Sequence, residues 1–365
     1  MSLLPMLWKE VVQLRRDRFT LAMMVGIPAI QLVLFGYAIR TEVRHLPTVV
    51  LDQSGTPESR ALVSTLRNTG NFEITGWVSN RAELADRIAG GDASAALVIP
   101  RDYMRDIKRG RTASAQMIVD AADPMASSAA MSGAARAGAA RAAALAPGSR
   151  PALVEMRVRP WYNPGMRDAV YIVPGIIGVL LSLTMVLITS IAIVRERERG
   201  TLEQLIVTPI DKTSLILGKL VPFLVIGFVQ MSVILVLGWV LFDVPVRGSL
   251  AVLYLLAFAF IVANLGLGLL MSTLVRSQLQ AMQLGFLFLL PNILLSGFMF
   301  PRQAMPEVAQ WIGAALPLTY FLTGLRGVLL KGIGLEQLWA EGMILTAFAV
   351  VLVSASVVRF SKTIE

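Results

Sequence analysis

The sequence contains no cysteine, and His45 is its one histidine. Without cysteine the chain can form neither disulfides nor zinc–thiolate sites, and it has no thiol nucleophile. A single histidine also excludes a metal site built from two histidines of this chain, including the helical two-histidine motif of zinc proteases. Cysteine-dependent enzymes and two-histidine metalloenzymes are therefore excluded.

Charged side chains are also few: they make up 16% of the 365 residues, whereas apolar residues make up 55%. Soluble domains usually carry about 25% charged residues, and the mean hydropathy of +0.67 points the same way. The composition predicts an integral membrane protein and excludes a purely soluble enzyme. The net charge of +9 lies largely beside apolar runs, so it indicates membrane topology and attraction to an anionic inner leaflet, and no nucleic-acid partner is expected.

Six apolar runs are long enough to cross a bilayer, which takes about 20 helical residues. The first follows a basic cluster, and its apolar part is longer than that of a secretory signal peptide. The six predicted transmembrane helices are Phe19–Ile39, Ala169–Val194, Leu220–Phe242, Leu250–Val275, Leu279–Phe300 and Leu338–Val358. We therefore predict an α-helical polytopic membrane protein in which residues 40–168 form a large insertion between helices 1 and 2, and residues 169–365 carry helices 2–6.

The orientation follows from the basic residues of the short loops, because cytoplasmic loops carry an excess of Lys and Arg. If the N-terminus is inside, the outer short loops hold only Arg247, Arg302, Arg326 and Lys331. The inner set is larger and consists of Lys9, Arg15, Arg16, Arg18, Arg195, Arg197, Arg199, Lys212, Lys219, Arg276, Arg359 and Lys362. Both termini are thus predicted to be cytoplasmic, and the insertion 40–168 extracytoplasmic.

Strand-like and helix-like stretches alternate within the insertion, which predicts an α/β domain with a mixed or parallel sheet. The predicted strands are Pro47–Leu51, Phe72–Val78, Ala95–Ile99, Ala115–Val119 and a period-two run at 154–158. Pro57 begins one helix, and Asn80 with Glu83 caps a second. Asp123-Pro124 opens a long Ala-rich helix. Residues 126–146 could instead be flexible low-complexity chain, but alanine favours helix.

The predicted spans contain no Asp, Glu, Lys or Arg deep inside them, and Glu341 stands only one turn into the last. Ion-coupled carriers usually need such groups as relays, so a proton-driven antiporter is disfavoured, although a backbone-lined sodium site would escape this test. The polar side chains in the spans are neutral, and they fit either hydrogen bonds between helices or the lining of a translocation path. The candidates for such a path are Gln31, Thr184, Gln230, Asn264 and Asn292.

The sequence offers no nucleotide site of its own. Gly218-Lys219 lacks the spaced glycine and the following Ser or Thr of a phosphate-binding loop. We therefore expect neither an enzyme nor a bound cofactor in this chain, and any energy for transport would come from another protein.

A charged neck and a short amphipathic helix are predicted at 195–209, where the sequence reads RERERGTLEQLIVTP. Transmembrane helix 2 is expected to continue through Arg199 and to break at Gly200. Thr201 and Gln204 form a capping box that restarts a helix. Its apolar stripe consists of Leu202, Leu205 and Ile206. From the residues alone, a helix at the lipid interface and a docking helix for a cytosolic partner fit equally well.

The first 18 residues form a second amphipathic element. Leu7, Trp8 and Val11 share an apolar helical face, while Lys9 lies on the polar side. A Trp on the apolar face is typical of a helix that lies flat on membrane lipids. Residues 1–18 are therefore predicted to be a cytoplasmic interfacial helix, with contact to a partner as a secondary role.

Short motifs along the membrane part carry a resemblance to a known family. After 195–209 they are Leu217-Gly218-Lys219-Leu220, Ser296-Gly297-Phe298-Met299-Phe300-Pro301, Met305-Pro306, Leu316-Pro317-Leu318-Thr319-Tyr320, Gly324-Leu325-Arg326-Gly327 and Lys331-Gly332. Their order, with the N-terminal helix and the insertion, resembles the membrane subunit of a type-2 ATP-binding-cassette (ABC) exporter. The insertion is similar to that of a subgroup that works in drug or toxic-compound efflux, often with a periplasmic adaptor.

The resemblance implies a permease of the inner membrane, homodimeric or paired with a similar chain, whose two ABC ATPase subunits bind the ATP and Mg. It also implies that residues 195–212 are the segment that couples to the ATPases and that residues 301–330 re-enter the outer leaflet. The implied coupling residues are Arg195, Glu196, Arg197, Glu198, Arg199, Gly200, Thr201, Leu202, Glu203, Gln204 and Leu205.

The function that the resemblance implies is export of an amphipathic or hydrophobic, drug-like or lipid-like compound. Two alternatives stay open. One is an ion-coupled secondary transporter, which the lack of deep charges disfavours. The other is a non-transporting sensor built around the insertion, for which six spans exceed what anchoring needs.

Overall fold

The structure, a computed structural model, describes residues 45–145, 154–200, 212–300, 302 and 305–362. The predicted interfacial helix 1–18 and the first predicted span, 19–39, lie outside the described residues. So do residues 201–211 of the predicted coupling segment. Within the described ranges an α/β domain precedes a bundle of long apolar helices.

The α/β domain has a five-stranded sheet with the order β2-β1-β3-β4-β5. Its elements are β1 Leu46–Asp52, α1 Pro57–Asn68, β2 Phe72–Trp77, α2 Arg81–Ala89, β3 Ala95–Ile99, α3 Tyr103–Lys108, β4 Ala113–Asp120, α4 Pro124–Leu145 and β5 Val154–Trp161. Strand β1 pairs in parallel with β2 and β3, β3 pairs antiparallel with β4, and β4 pairs in parallel with β5. The sheet is therefore mixed, as the alternating pattern predicts.

Both faces of the sheet are covered, because α1, α3 and α4 pack on one side and α2 on the other. Helices α1, α2 and α4 each begin at a capping side chain. Thr56 caps α1 in a capping box, and the Asn80 side chain accepts from the Glu83 N–H. The Asp123 carboxylate accepts the N–H groups of Met125 and Ala126 at 2.9 and 3.1 Å. The Ala-rich stretch is thus helix, and its alternative interpretation as flexible chain is wrong.

Five helices of the described residues are long and apolar enough to cross a membrane. The helices that contain these spans are α5 Asp168–Glu198, α6 Lys212–Phe242, α7 Leu250–Ser272, α8 Gln278–Leu295 and α11 Trp339–Lys362. They correspond to the second to sixth predicted spans. Helix α8 ends five residues before the predicted boundary at Phe300, because Ser296 caps it and Gly297 takes a positive φ of 88°.

Two short helices, α9 Glu307–Ala314 and α10 Pro317–Arg326, with a π-helix at Gly327–Lys331, form a hairpin bent by 87°. Before the hairpin, the carbonyl of Phe298 accepts a hydrogen bond from Tyr171 near the start of α5. At its other end, Lys331 contacts the α/β domain. Both ends therefore lie on the domain side of the bundle, as in a re-entrant hairpin. Its Phe321 ring stacks on Phe260, halfway along α7, at 4.1 Å between ring centroids.

The π-helix is held by the loop between α6 and α7. The Arg247 and Gly248 N–H groups donate to the carbonyls of Leu329 and Val328, and the Arg247 guanidinium donates to Leu330 O at 2.9 Å. A π-helix leaves carbonyls without their usual partners, so these bonds satisfy backbone groups that would otherwise be orphaned. The loop and the re-entrant hairpin thus form one unit at the domain end of the bundle.

The α/β domain is bound to this unit by Lys331. Its Nζ lies 2.6 Å from Asp120 Oδ2 and donates to Ile88 O at 3.1 Å, and it stands 5.6 Å from the centre of the Tyr162 ring. Both side chains of the Lys331–Asp120 pair are nearly buried, with 11% and 15% of their surface exposed. A second contact runs from the Arg167 guanidinium to Asp243 O at 3.2 Å.

Helices α5 and α7 approach so closely that a glycine is required between them. A Cβ added at Gly268 would stand 2.7 Å from the backbone oxygen of Val186. Backbone cannot move aside as a flexible side chain can, so the contact fixes the distance between the two helices. This close approach is typical of small residues at interfaces between membrane helices.

We expect Gly268→Ala to destabilise the folded chain by about 1–3 kcal/mol, the usual cost of overpacking. The matched control is Gly342→Ala, where the new Cβ would meet only the Leu256 side chain at 3.5 Å, an ordinary contact. The midpoint of thermal unfolding of each purified variant in detergent measures the difference. Equal midpoints for the two variants would contradict the packing argument.

Candidate functional site

The charged neck of α5 is a direct continuation of a membrane helix. Helix α5 runs for 31 residues to Glu198, Arg199 is its C-cap, and Gly200 follows with a positive φ of 69°. A left-handed residue after the last turn stops a helix at little cost when it is glycine. The continuation through Arg199 and the break at Gly200 are therefore confirmed.

The neck is bound to the loop between α7 and α8, and Gln278 is the centre of this contact. Its backbone N–H donates to Glu198 Oε1 at 2.9 Å, and its side-chain amide donates to Glu198 Oε2 at 2.5 Å. Its Oε1 accepts from Arg195 Nε at 3.1 Å. Arg197 adds a bond from its guanidinium to Val275 O at 3.0 Å. We call Arg195, Arg197, Glu198, Val275 and Gln278 the neck clamp.

The neck clamp joins two membrane helices at one end. Gln278 is the first residue of α8, and Ser277 caps that helix by accepting from Gln280 N, while Gln280 Oε1 accepts from Arg276 N. The neck of α5 is therefore bonded directly to the first residue of α8. The sequence analysis missed Gln278; the capping box of Ser277 and Gln280 was the available signal for a helix start there.

The remaining coupling residues predicted from the resemblance, Thr201, Leu202, Glu203, Gln204 and Leu205, lie outside the described residues. The structure places Arg195, Glu196, Arg197, Glu198, Arg199 and Gly200 together at the end of α5 that is remote from the α/β domain. At about 1.5 Å per residue, α5 separates the two ends by about 46 Å. Docking of an ATPase at this end stays a prediction.

The opposite end of α5 is joined to the re-entrant hairpin. The Tyr171 hydroxyl donates to Phe298 O at 2.8 Å. The Arg326 guanidinium lies 4.0 Å from the centre of the Tyr171 ring and donates to Gly297 O at 3.0 Å. A Cβ at Gly175 would overlap the Phe298 ring, so α5 packs tightly here. Helix α5 thus connects the neck clamp to the hairpin on which the α/β domain rests.

Two of the candidate path residues, Asn264 and Asn292, form a buried network with Ser182. Ser182 Oγ donates to Asn264 Oδ1 at 2.7 Å, and the Asn292 amide donates to Ser182 Oγ at 2.9 Å. The three side chains come from α7, α8 and α5, and each is about 1% exposed. Such a network binds helices of one chain together, which is the first of the two interpretations that the sequence left open.

Thr184 and Gln230 form a separate pair between α5 and α6. The Gln230 amide donates to Thr184 Oγ1 at 3.1 Å, and the Thr184 hydroxyl donates to Leu180 O in its own helix. The Gln230 Oε1 is buried without a hydrogen-bond partner in the described part of the chain. Both residues are partly exposed, so they fit a path better than the asparagines do. Gln31 lies outside the described residues.

The five apolar spans, the re-entrant hairpin and the helix that continues into a charged neck are the features of a multi-pass membrane permease. The chain belongs to the ABC-2 family of transporters, because the family described as "ABC-2 family transporter protein" matches residues 18–358. The resemblance predicted from the motifs is confirmed. Membership implies association with ABC ATPase subunits.

Named relatives cover almost the whole chain. "Probable multidrug ABC transporter permease YbhS" of Escherichia coli strain K12 is 30% identical over 364 residues, 98% of this chain and 96% of the relative. "Probable multidrug ABC transporter permease YbhR" of the same strain is 29% identical over 332 residues, 91% and 90% of the two chains. "ABC transporter G family member 20" of Dictyostelium discoideum is 22% identical over 97% of this chain, which is 50% of that relative. No solved structure matches the chain significantly.

We expect Gln278→Ala to weaken the link between the neck and α8 while the chain stays folded, because it removes the two side-chain bonds of Gln278 and leaves its backbone bond to Glu198. Losing about 1 kcal/mol of coupling corresponds to about a fivefold effect. The measurement is the stimulation of ATP hydrolysis by a transported compound in the complex co-purified with its ATPase subunits. The control is Leu279→Ala at the exposed neighbouring position, which makes no neck-clamp contact. Full stimulation in the Gln278→Ala complex would show that the side-chain bonds of Gln278 have no part in coupling.

Proposed function

We propose that this ABC transporter permease exports an amphipathic or hydrophobic compound across the inner membrane, using ATP and Mg bound by two separate ABC ATPase subunits. The observation that carries the proposal is the uninterrupted helix α5, which has the neck clamp at one end and the re-entrant hairpin at the other. Relatives whose printed names include "multidrug ABC transporter permease" support export of drug-like compounds.

The proposed topology has six spans, with 19–39 as the first and α5, α6, α7, α8 and α11 as the others. The N- and C-termini and residues 195–212 lie in the cytoplasm, and the insertion 40–168 lies outside. Two observations support this arrangement. The α/β domain and the neck stand at opposite ends of α5, and the basic residues of the short loops are concentrated at the neck end.

The proposed mechanism is mechanical. ATP-driven closure of the ATPase subunits pushes the helix predicted at 201–207. The neck next to it is a stiff continuation of α5, so it transmits this displacement where a loop could not. The neck clamp makes α8 move with α5. At the outer end, the bonds of Tyr171 pass the displacement to the re-entrant hairpin, which alternates access between the inner and outer sides.

The proposed assembly is a dimer of two permease chains with two ATPase subunits. The second permease is another copy of this chain or a similar chain. Residues 1–18 contact membrane lipids through Leu7, Trp8 and Val11, and Lys9 faces the aqueous side. The α/β domain contacts a periplasmic adaptor or the partner permease.

The docking proposal predicts that one substitution of Leu205 lowers activity and that another leaves it unchanged. Leu205→Asp places a charge on the apolar stripe that would face the ATPase, so transport and substrate-stimulated ATP hydrolysis should fall at least tenfold, the effect of about 1.4 kcal/mol. Leu205→Met keeps the apolar contact and should retain both. Glu203→Ala, on the same predicted helix, should lower both activities with folding intact. Unchanged transport and unchanged ATPase pairing in Leu205→Asp would refute the docking role.

The topology can be tested directly because the chain has no cysteine of its own. A single cysteine replaces Ser132 on α4 of the domain or Arg199 in the neck, both exposed positions. In cells with a permeabilised outer barrier, a membrane-impermeant maleimide should label Ser132→Cys, and it should label Arg199→Cys only after lysis. The reverse pattern would overturn the orientation and the export proposal with it.

A further inference from the structure

A cavity of about 220 Å³ lies between the underside of the α/β domain and the re-entrant hairpin. The domain contributes the turn after α2 and residues 120–126. The hairpin contributes Arg326 and Lys331, and α11 contributes Glu341 from its first turn. Pockets for drug-sized ligands are usually about 300–1,000 Å³. This cavity is therefore the size of a headgroup, not of a whole amphipathic molecule.

Most of the charged groups around the cavity already have partners. Lys331 pairs with Asp120, whose other oxygen accepts from Ala122 N. Arg326 donates to backbone carbonyls and stacks on Tyr171. Asp123 caps α4; burial raises the pKa of its carboxyl above the ordinary value, and the Ala126 N–H and the nearby Arg326 charge oppose this rise. These groups hold the walls of the cavity in place.

Four lining residues, in contrast, carry buried polar atoms without a hydrogen-bond partner among the described residues. The atoms are Ser296 Oγ, Arg302 Nε, Arg326 Nε and Glu341 Oε2. The Ser296 residue is only 2% exposed. Glu341 makes no ion pair in the part of the chain that the structure describes. Buried polar atoms in native proteins are almost always paired with protein or ordered water, so four of them around one cavity point to a polar group that binds there.

The unsatisfied atoms include both hydrogen-bond donors and a hydrogen-bond acceptor, and this indicates the chemistry of the ligand. The free carboxylate oxygen of Glu341 requires a donor, for which an ammonium group is the strongest match. The guanidinium N–H groups of Arg302 and Arg326 require acceptors, for which phosphate or carboxylate oxygens are the match. The charged side chains of the lining balance, with Asp120, Asp123 and Glu341 against Arg302, Arg326 and Lys331. A ligand with both charges leaves this balance unchanged.

The surroundings of the cavity favour an amphipath. Leu322, Ile333 and Leu338 line it beside the charged groups. Exposed tryptophans stand at the same end of the bundle, with Trp239 close to the end of α6 and Trp339 at the start of α11, two residues before Glu341. Tryptophan side chains concentrate at the level of lipid headgroups. Glu341 is therefore at headgroup depth.

We propose that this cavity binds the zwitterionic headgroup of an amphipath, with an ammonium group at Glu341 and a phosphate or carboxylate group at Ser296 and Arg302. The amphipath is either a lipid of the surrounding leaflet or the compound being exported, since the two share this chemistry. The inference rests on the proposed function in one respect only, which is that the cavity lies on the outer side of the membrane. Binding itself requires neither ATP nor an ATPase subunit.

The test uses the purified, delipidated full chain in detergent, with phosphatidylethanolamine as the zwitterionic probe and phosphatidylglycerol as the probe without an ammonium group. Native mass spectrometry measures the bound fraction of each. Wild type should bind phosphatidylethanolamine at least tenfold more tightly than Glu341→Gln does. The control Glu336→Gln, an exposed position in the loop that precedes α11 and outside the cavity lining, should bind as wild type does. Unfolding midpoints confirm that each variant is folded, and Glu341→Asp keeps the charge if Glu341→Gln proves unstable.

A second pair of probes tests whether the phosphate or carboxylate group of the ligand is needed. It also distinguishes a lipid of the leaflet from an exported compound. An alkylphosphoethanolamine should bind at least tenfold more tightly than an alkylammonium of equal chain length. If it also stimulates ATP hydrolysis in the assembled complex and Glu341→Gln lowers that stimulation, the ligand is an exported compound. If it binds without stimulation, the ligand is a lipid headgroup.

Three results would overturn the inference: equal binding of phosphatidylglycerol, equal binding of the alkylammonium, or equal loss in Glu341→Gln and Glu336→Gln. Failure to assemble with any ATPase would instead refute the exporter proposal and leave the binding result standing.

Discussion

Every backbone and side-chain polar group that enters the hydrocarbon of a membrane must find its partner within the protein. This constraint organises the bundle. Ser182 bonds to both Asn264 and Asn292, and these two hydrogen bonds tie three helices together. The π-helix leaves carbonyls without their usual partners, and Arg247 and Gly248 donate hydrogen bonds to them. These bonds hold the hairpin against a loop that is far away in sequence. Among the described residues the constraint is not met everywhere: Gln230 Oε1 and Asn292 Oδ1 lack partners inside the bundle, and four such atoms cluster around the one cavity at Ser296 and Glu341.

A second consequence is mechanical. Because the interior of the bundle is apolar and closely packed, as at Gly268, helices move as bodies and do not deform locally. The charged groups lie at the two ends of α5, where water or protein can solvate them. The neck clamp links α5 to α8 at one end, and the contacts of Tyr171 link α5 to the hairpin at the other. Helix α5 thus resembles a rod with a polar joint at each end.

Much of the fold could be predicted because it depends on local sequence. Apolar length marks the spans, and caps such as Asn80 and Asp123 mark the helices of the domain to within a few residues. Family membership followed from the order of short motifs. The neck clamp could not be predicted, because Glu198 and Gln278 are 80 positions apart and neither is unusual in its own segment. The same holds for Lys331 and Asp120, and for the choice between a network and a path at Asn264.

The burial of the Lys331–Asp120 pair determines how salt affects the contact between the α/β domain and the bundle. Ion pairs at exposed positions of the same domain, such as Arg105 with Asp102, weaken as mobile ions gather around them. Lys331 and Asp120 are largely shielded from solvent, so counterions reach them poorly. The contact between the domain and the bundle is consequently expected to depend little on the ionic strength of the surrounding solution.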